Sequence, residues 1–248
     1  MELTIVQDER RLEAEHEKVL QQQTSRPVTT RVRDALRRFT QRNIVGKLRE
    51  ETTTVFNQEE YASEKEKYLK LFEHLKGQEA SLKQLGLCVS RLGDALFDVG
   101  ECNARIKMDH SDTRFRDVMR QMQGKTTTYG PTMEQHVLPQ LRQHVQSMEA
   151  LMVQMHQRDN LELDFHTAVH KHEKAKRKGK MHVIKETGQQ MHDAQHALVV
   201  VTRVLLGEFK RVQSIKGSLT EETLLLTCTS MGQLMNQMTS IASAGTST

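Results

Sequence analysis

Three long stretches of the chain repeat apolar residues at helical spacing, and they set the expected elements. The first holds Tyr68, Phe72 and Leu75, then Leu82, Leu85, Val89, Leu92, Leu96 and Val99. The last six alternate steps of three and four, the mark of a coiled-coil-like seam. Gly86, Gly93 and Gly100 ride the same seven-residue period, which leaves one helix edge without side chains. Another backbone can approach closely there, so helix packing explains these glycines better than a ligand does. The second run is Leu141, Val145, Met148, Met152 and Met155, continuing less regularly through Leu161, Leu163 and Phe165. The third holds Ile184, Met191, Leu198, Val201, Leu205, Phe209, Val212, Ile215 and Leu219, and continues to Leu234, Met238 and Ile241.

The breakers between these runs predict the connections. Gly124 and Gly130-Pro131 predict a bend or turn near 124–132, and Pro139 a kink. Gly179 parts the second run from the third as the tip of a helix–helix hairpin. A third helix of about 60 residues would extend about 90 Å at 1.5 Å per residue. Three such helices cannot each hide a stripe within a compact monomer, and dimerisation is the expected remedy.

The N-terminal part reads differently. Residues 1–24 carry six acids against three Lys/Arg, with Ile5, Leu12 and Val19 seven apart, which suggests a weak acidic helix or a frayed leader. Ser25-Arg26-Pro27 breaks the chain, and Thr29 or Thr30 can cap the next helix. From Arg26 to Arg49 there are eight Lys/Arg and one acid, Asp34, while Val28, Val32, Ala35, Leu36 and Phe39 share a face. The expected divisions are therefore a leader over 1–24, a basic amphipathic helix within 25–46, a helical domain over 47–241 and a tail over 242–248.

Composition narrows the class. Among 248 residues the hydrophobic fraction is 36% and the charged fraction 27%, with no Trp and three Pro, which disfavours a thick globular core and suits an all-α, extended helical bundle. Cys88, Cys102 and Cys228 are odd in number and widely spaced, implying neither a disulfide framework nor a zinc site, and so a reducing, cytosolic setting. A charged start and the lack of any run of about 18 apolar residues argue against a signal peptide or membrane span. The net charge of +4 is modest; its distribution is the informative part.

That distribution concentrates at "HKHEKAKRKGKMH", residues 170–182, where Lys171, Lys174, Lys176, Arg177, Lys178 and Lys180 surround one acid, Glu173. A Lys/Arg run is by default a solvated loop. At the end of a long hairpin, however, it projects charge outward, and each cation near an anionic leaflet contributes about 1 kcal/mol of attraction. In the segment 29–42, Arg31, Arg33, Arg37, Arg38 and Arg42 flank the stripe of Val32, Leu36 and Phe39, a pattern suited to the headgroup boundary and too weakly apolar for a span. Nucleic acid is not expected, because the basic tip lacks interleaved aromatics and no zinc-finger or RNA-recognition signature occurs. His166, His170 and His172 lack a His-Glu-x-x-His pattern or a neighbouring Cys, so exposed helix-face histidines are preferred to a metal site. With His182 they would gain charge towards pH 6 and strengthen contact with anionic lipid. No phosphate loop, nucleophile elbow or carboxylate pair points to an enzyme, and no cofactor is implied.

The segment LELDFHTAVHKHEKAKRKGK (161–180) resembles the junction of the second and third helices in BAR domains of the amphiphysin/endophilin type: Asp164-Phe165 precedes the basic Ala175-Lys176-Arg177-Lys178. NIVGKLREETTTVFNQEEYASEKEKY (43–68) is similar to that family's approach to its first long helix, again preceded by a basic amphipathic helix. The resemblance covers roughly residues 27–241. It implies an antiparallel three-helix coiled coil that dimerises into a crescent, binds curved anionic membranes rich in phosphatidylserine or phosphoinositides, and acts peripherally in endocytosis or vesicle trafficking. The partner would be a second copy or a related BAR chain. Lys176, Arg177 and Lys178 then match the binding tip, the arginine helix matches an inserting wedge, and Arg142 and Arg158 are candidates for the concave face. The acidic leader is expected to pair with the arginine helix. A coiled-coil scaffold without lipid contact is the alternative function.

Overall fold

The computed structural model describes residues 2–24, 38, 56–107 and 114–246, and no strand occurs among them. Among the described residues five helices follow one another: α1 (Glu2–Thr24), α2 (Gln58–Lys107), α3 (Arg114–His136), α4 (Leu138–Lys178) and α5 (Met181–Thr246). The described part of the protein is all-α. It forms two compact units, the first from Met1–Tyr68 with Glu149–Gln213 and the second from Leu69–Met148 with Ser214–Thr248. Helices α2, α4 and α5 each contribute to both.

Local chemistry explains the helix ends. Asn57 takes a positive φ of 50°, a conformation Asn tolerates better than most residues, and its amide donates to Glu60 at 3.1 Å. Glu59 and Glu60 then place negative charge on the first turn of α2, where the helix dipole favours it. Further along the chain, α4 stops as predicted at Gly179, whose φ of 68° no residue with a side chain adopts readily. Its N–H donates to the carbonyls of Ala175 and Lys176 at 3.2 and 3.1 Å, capping the last turn.

In the first unit α4 and α5 run antiparallel: Arg158 pairs with Thr202, and closer to Gly179, His172 pairs with Thr187. Helix α2 lies parallel to α5, with Phe56 under Arg203 and Glu60 bound to Lys210. Tyr61, Tyr68 and Phe209 form the aromatic centre of this core, with ring centroids 6.0 and 4.9 Å apart. Leu151, Met155, Leu161 and Phe165 of α4 and Leu198, Val201 and Leu205 of α5 are buried in the same unit.

The second unit is held by close approach instead. Along α2 and α3 the paired positions run in opposite senses: Gly86 meets Gly130, Gly93 meets Thr126 and Gly100 meets Met119. A Cβ on Gly93 would lie 1.7 Å from the Thr126 hydroxyl, so the bare edge expected from the glycine repeat is indeed a packing surface. The predicted bend over 124–132 does not form. Pro131 sits inside α3, the break falls at Val137, and even there the Val137 N–H reaches the Met133 carbonyl at 3.0 Å. The Gly86–Gly130 approach and the burial of Tyr129 and Met133 override the breaker residues. Residues 242–246, expected in a tail, continue α5, and Gly245 packs on Val118.

The first apolar run also divides in a way its spacing did not reveal. Leu82 and Val89 are buried, whereas Leu92 and Val99 are 50% and 55% exposed. What reads as one seam is two, one facing α3 and one facing outward.

Candidate functional site

The α4–α5 tip brings together all six cations expected there. Lys171, Lys174, Lys176, Arg177, Lys178 and Lys180 are exposed, while Ala175 and His172 between them turn inward. Part of this charge serves the fold, because Lys176, Arg177 and Lys178 occupy the last turn of α4, where the helix dipole favours cations. That account does not reach Lys171, Lys174 or Lys180. Glu173 binds Lys176 at 2.8 Å, and this contact, with the neighbouring cations, holds the Glu173 carboxyl below its usual range. One carboxylate cannot neutralise six cations, so the tip keeps a local positive excess.

Two neighbours went unnoticed in the sequence. Met181, the first residue of α5, is 77% exposed beside Lys180, and Lys185 is exposed one turn further on. The signal was present in Lys180-Met181 and Lys185, which continue the basic stretch past the glycine.

The histidines separate. His170 and His182 are exposed, His166 is half-buried with Nε2 at 3.9 Å from Glu162, and His172 is buried with Nδ1 at 3.1 Å from the Thr187 hydroxyl. His172 thus fastens α4 to α5 and is withdrawn from any surface ligand. No group of three His, Cys, Asp or Glu suited to a metal occurs among the described residues.

Of the arginine segment, Arg38 alone is described, and Arg31, Val32, Arg33, Leu36, Arg37, Phe39 and Arg42 lie outside the described residues. Arg38 donates from Nη2 to Asp164 at 2.7 Å, with both side chains under a fifth exposed. Its partner is therefore the acid before the basic tip, on α4, rather than one of the acidic leader. Phe165, next to Asp164, is buried.

The two concave-face candidates have different fates. Arg142 is a third exposed and binds Glu134 at 2.7 Å and Glu79 at 2.9 Å; these carboxylates raise its pKa further. Glu79, between Lys83 and Arg142, is held below its ordinary value. Arg158 is only 1% exposed. Its guanidinium binds Glu162 and Gln58, donates to Thr202 at 3.3 Å and lies 4.1 Å from the Tyr61 ring centre. It is a core residue and offers nothing to a membrane face. Its place on the buried stripe Leu151, Met155, Arg158, Leu161, Phe165 was the available sign, since no apolar residue stands at 157–159.

A groove of about 460 Å³ lies between α2 and α3 in the second unit, lined largely by apolar side chains such as Leu82, Leu87 and Pro131, with Lys83 and Glu134 as its charged members. No helix among the described residues is long and apolar enough to cross a membrane. No protein-family model matches the chain, and neither does any curated protein.

Proposed function

We propose that this protein is a peripheral membrane-binding dimer of the BAR kind, which engages curved anionic bilayers through the α4–α5 tip. The observation that carries this reading is the tip: six exposed cations and one carboxylate around a left-handed glycine, with Met181 exposed among them. Cations answer lipid phosphates and serine carboxylates, and the Met181 side chain can enter the headgroup boundary. Further support comes from the family resemblance at 43–68 and 161–180, and from exposed apolar residues that call for a second chain. Phosphatidylserine or phosphoinositide membranes of an endocytic or trafficking step are the surface proposed. The arginine segment is the proposed wedge; Arg38, paired with Asp164, would leave that partner to insert.

Cosedimentation tests this. Vesicles rich in phosphatidylserine should pellet the protein, and Lys176→Glu, Arg177→Glu and Lys178→Glu together should weaken affinity at least about a hundredfold, since each cation contributes about 1 kcal/mol, or about fivefold. Helicity should be unchanged. Undiminished pelleting would remove the tip from the mechanism.

A scaffold reading is favoured by one separate observation. No charged residue follows Glu222 although α5 continues to Thr246, and Leu224, Leu225 and Met235 are exposed there, a surface suited to another helix rather than to lipid phosphate. Failure of wild-type protein to pellet at low salt would select it.

A further inference from the structure

The outward seam of α2 follows a strict heptad. Leu85, Leu92, Val99 and Ile106 recur every seven residues, and Cys88, Ala95 and Cys102 fill the intervening core steps. Leu92, Val99 and Ile106 are 50, 55 and 78% exposed, and both cysteines are free and exposed. On a solvated monomer this stripe has no purpose, whereas a coiled coil carries apolar residues at both core positions of each heptad.

The charges beside the stripe say what covers it. The positions preceding Leu85, Leu92, Val99 and Ile106 are Gln84, Arg91, Asp98 and Arg105, all exposed. Asp94 is occupied by Gln123 at 3.0 Å and Glu101 lies 4.0 Å from Arg116, but Arg91, Asp98 and Arg105 have no partner among the described residues. In a parallel pair these flanking positions face the opposite flank of the other helix, here the buried Val89 and the half-buried Leu96 and Asn103, none of which carries charge. In an antiparallel pair they face each other. Layering Leu92 with the partner's Ala95, and Cys88 with the partner's Val99, brings Arg91 opposite the partner's Asp98. Two-fold symmetry repeats the contact, and Gln84 then faces the partner's Arg105.

We infer that α2 pairs antiparallel with α2 of a second copy over residues 85–102, in the register set by Arg91 and Asp98. The inference deepens the dimer of the proposed function and rests on that part of it alone, without any need for lipid.

Sedimentation equilibrium with two charge variants tests it. Wild-type protein should be dimeric at micromolar concentration. Arg91→Asp puts Asp against Asp, and Asp98→Arg puts Arg against Arg, so each alone should raise the dimer dissociation constant about tenfold or more. An equimolar mixture of the two restores both opposite-sign contacts and should dimerise about as tightly as wild type, as should the double variant Arg91→Asp/Asp98→Arg. A monomeric wild type overturns the inference. So does a dimer indifferent to either reversal, which would place the interface on α5 or elsewhere, or a mixture no tighter than its components. Vesicle pelleting of the same samples separates the two claims: a charge-responsive dimer that ignores lipid keeps this interface and removes the membrane function.

Discussion

The two units solve the same packing problem with different materials. The first fills its centre with Tyr61, Tyr68, Phe209 and a buried arginine, and among its described large apolar side chains only Val153 and Met181 stand exposed. The second brings backbones together at Gly86, Gly93 and Gly100, and leaves Leu87, Leu92, Val99, Ile106, Phe115, Leu224, Leu225 and Met235 exposed. One unit buries most of its described apolar side chains and presents charge. The other presents hydrocarbon. Glycine packing saves side-chain volume on one helix face, and a helix so narrowed has apolar surface left for another chain.

The contrast can be broken most severely in the first unit. Arg158→Ala leaves Glu162 with its charge largely buried and its strongest partner gone, and should cost about 3–5 kcal/mol of stability. Adding Glu162→Gln should recover part of that loss in denaturant titrations; no recovery would mean that packing on Tyr61, not charge, is what Arg158 supplies. In the second unit Gly93→Ala forces a Cβ against Thr126, whose hydroxyl already donates to the carbonyl of Gln123 at 2.9 Å. Overpacking should cost about 1–3 kcal/mol, exceeding the gain of about 1 kcal/mol that alanine brings to a helix. Gly77→Ala, which has open space around its Cβ, should show that gain unopposed. Equal effects at the two glycines would refute close packing as the second unit's device.

The smallest effect sharpens how α1 belongs to the first unit. His16 is buried, its Nε2 lacks a hydrogen-bond partner, and burial lowers its pKa below 6.5. The unfolded chain therefore binds the proton more readily than the folded one. Stability from this residue is present above pH 6.5 and is lost progressively as pH falls from there through the lowered folded value. His16→Leu should remove that component, measured as a smaller difference in denaturation midpoint between pH 7.5 and pH 5.5 than wild type shows.

Much of the fold was legible because period and punctuation agreed. Tyr68, Phe72 and Leu75, and the run from Leu198 to Phe209, are buried where their spacing placed them, and Gly179 ends α4 with the tip exposed. Breaker rules failed at Pro131, because the neighbouring helix contact lets α3 continue past a residue that would end an isolated helix. Periodicity also fails where two faces of one helix are both apolar, as with Leu82 and Leu85, since steps of three and four describe either. For the site, charge showed the tip but not which cations were already engaged. In sequence Arg158 and Arg177 look alike, and only the fold reveals that one faces Glu162 inside the core while the other stands in solvent.

The central claim is that the exposed cations of the tip meet an anionic bilayer, and salt tests it most directly. Wild-type protein should be pelleted by phosphatidylserine-rich vesicles at about 0.01 M salt, where charges act over about 30 Å, and released at about 1 M, where they act over about 3 Å. Uncharged phosphatidylcholine vesicles should leave it in the supernatant at both. Protein that remains in solution with the anionic vesicles at low salt, or pellets equally with both kinds, would contradict the account.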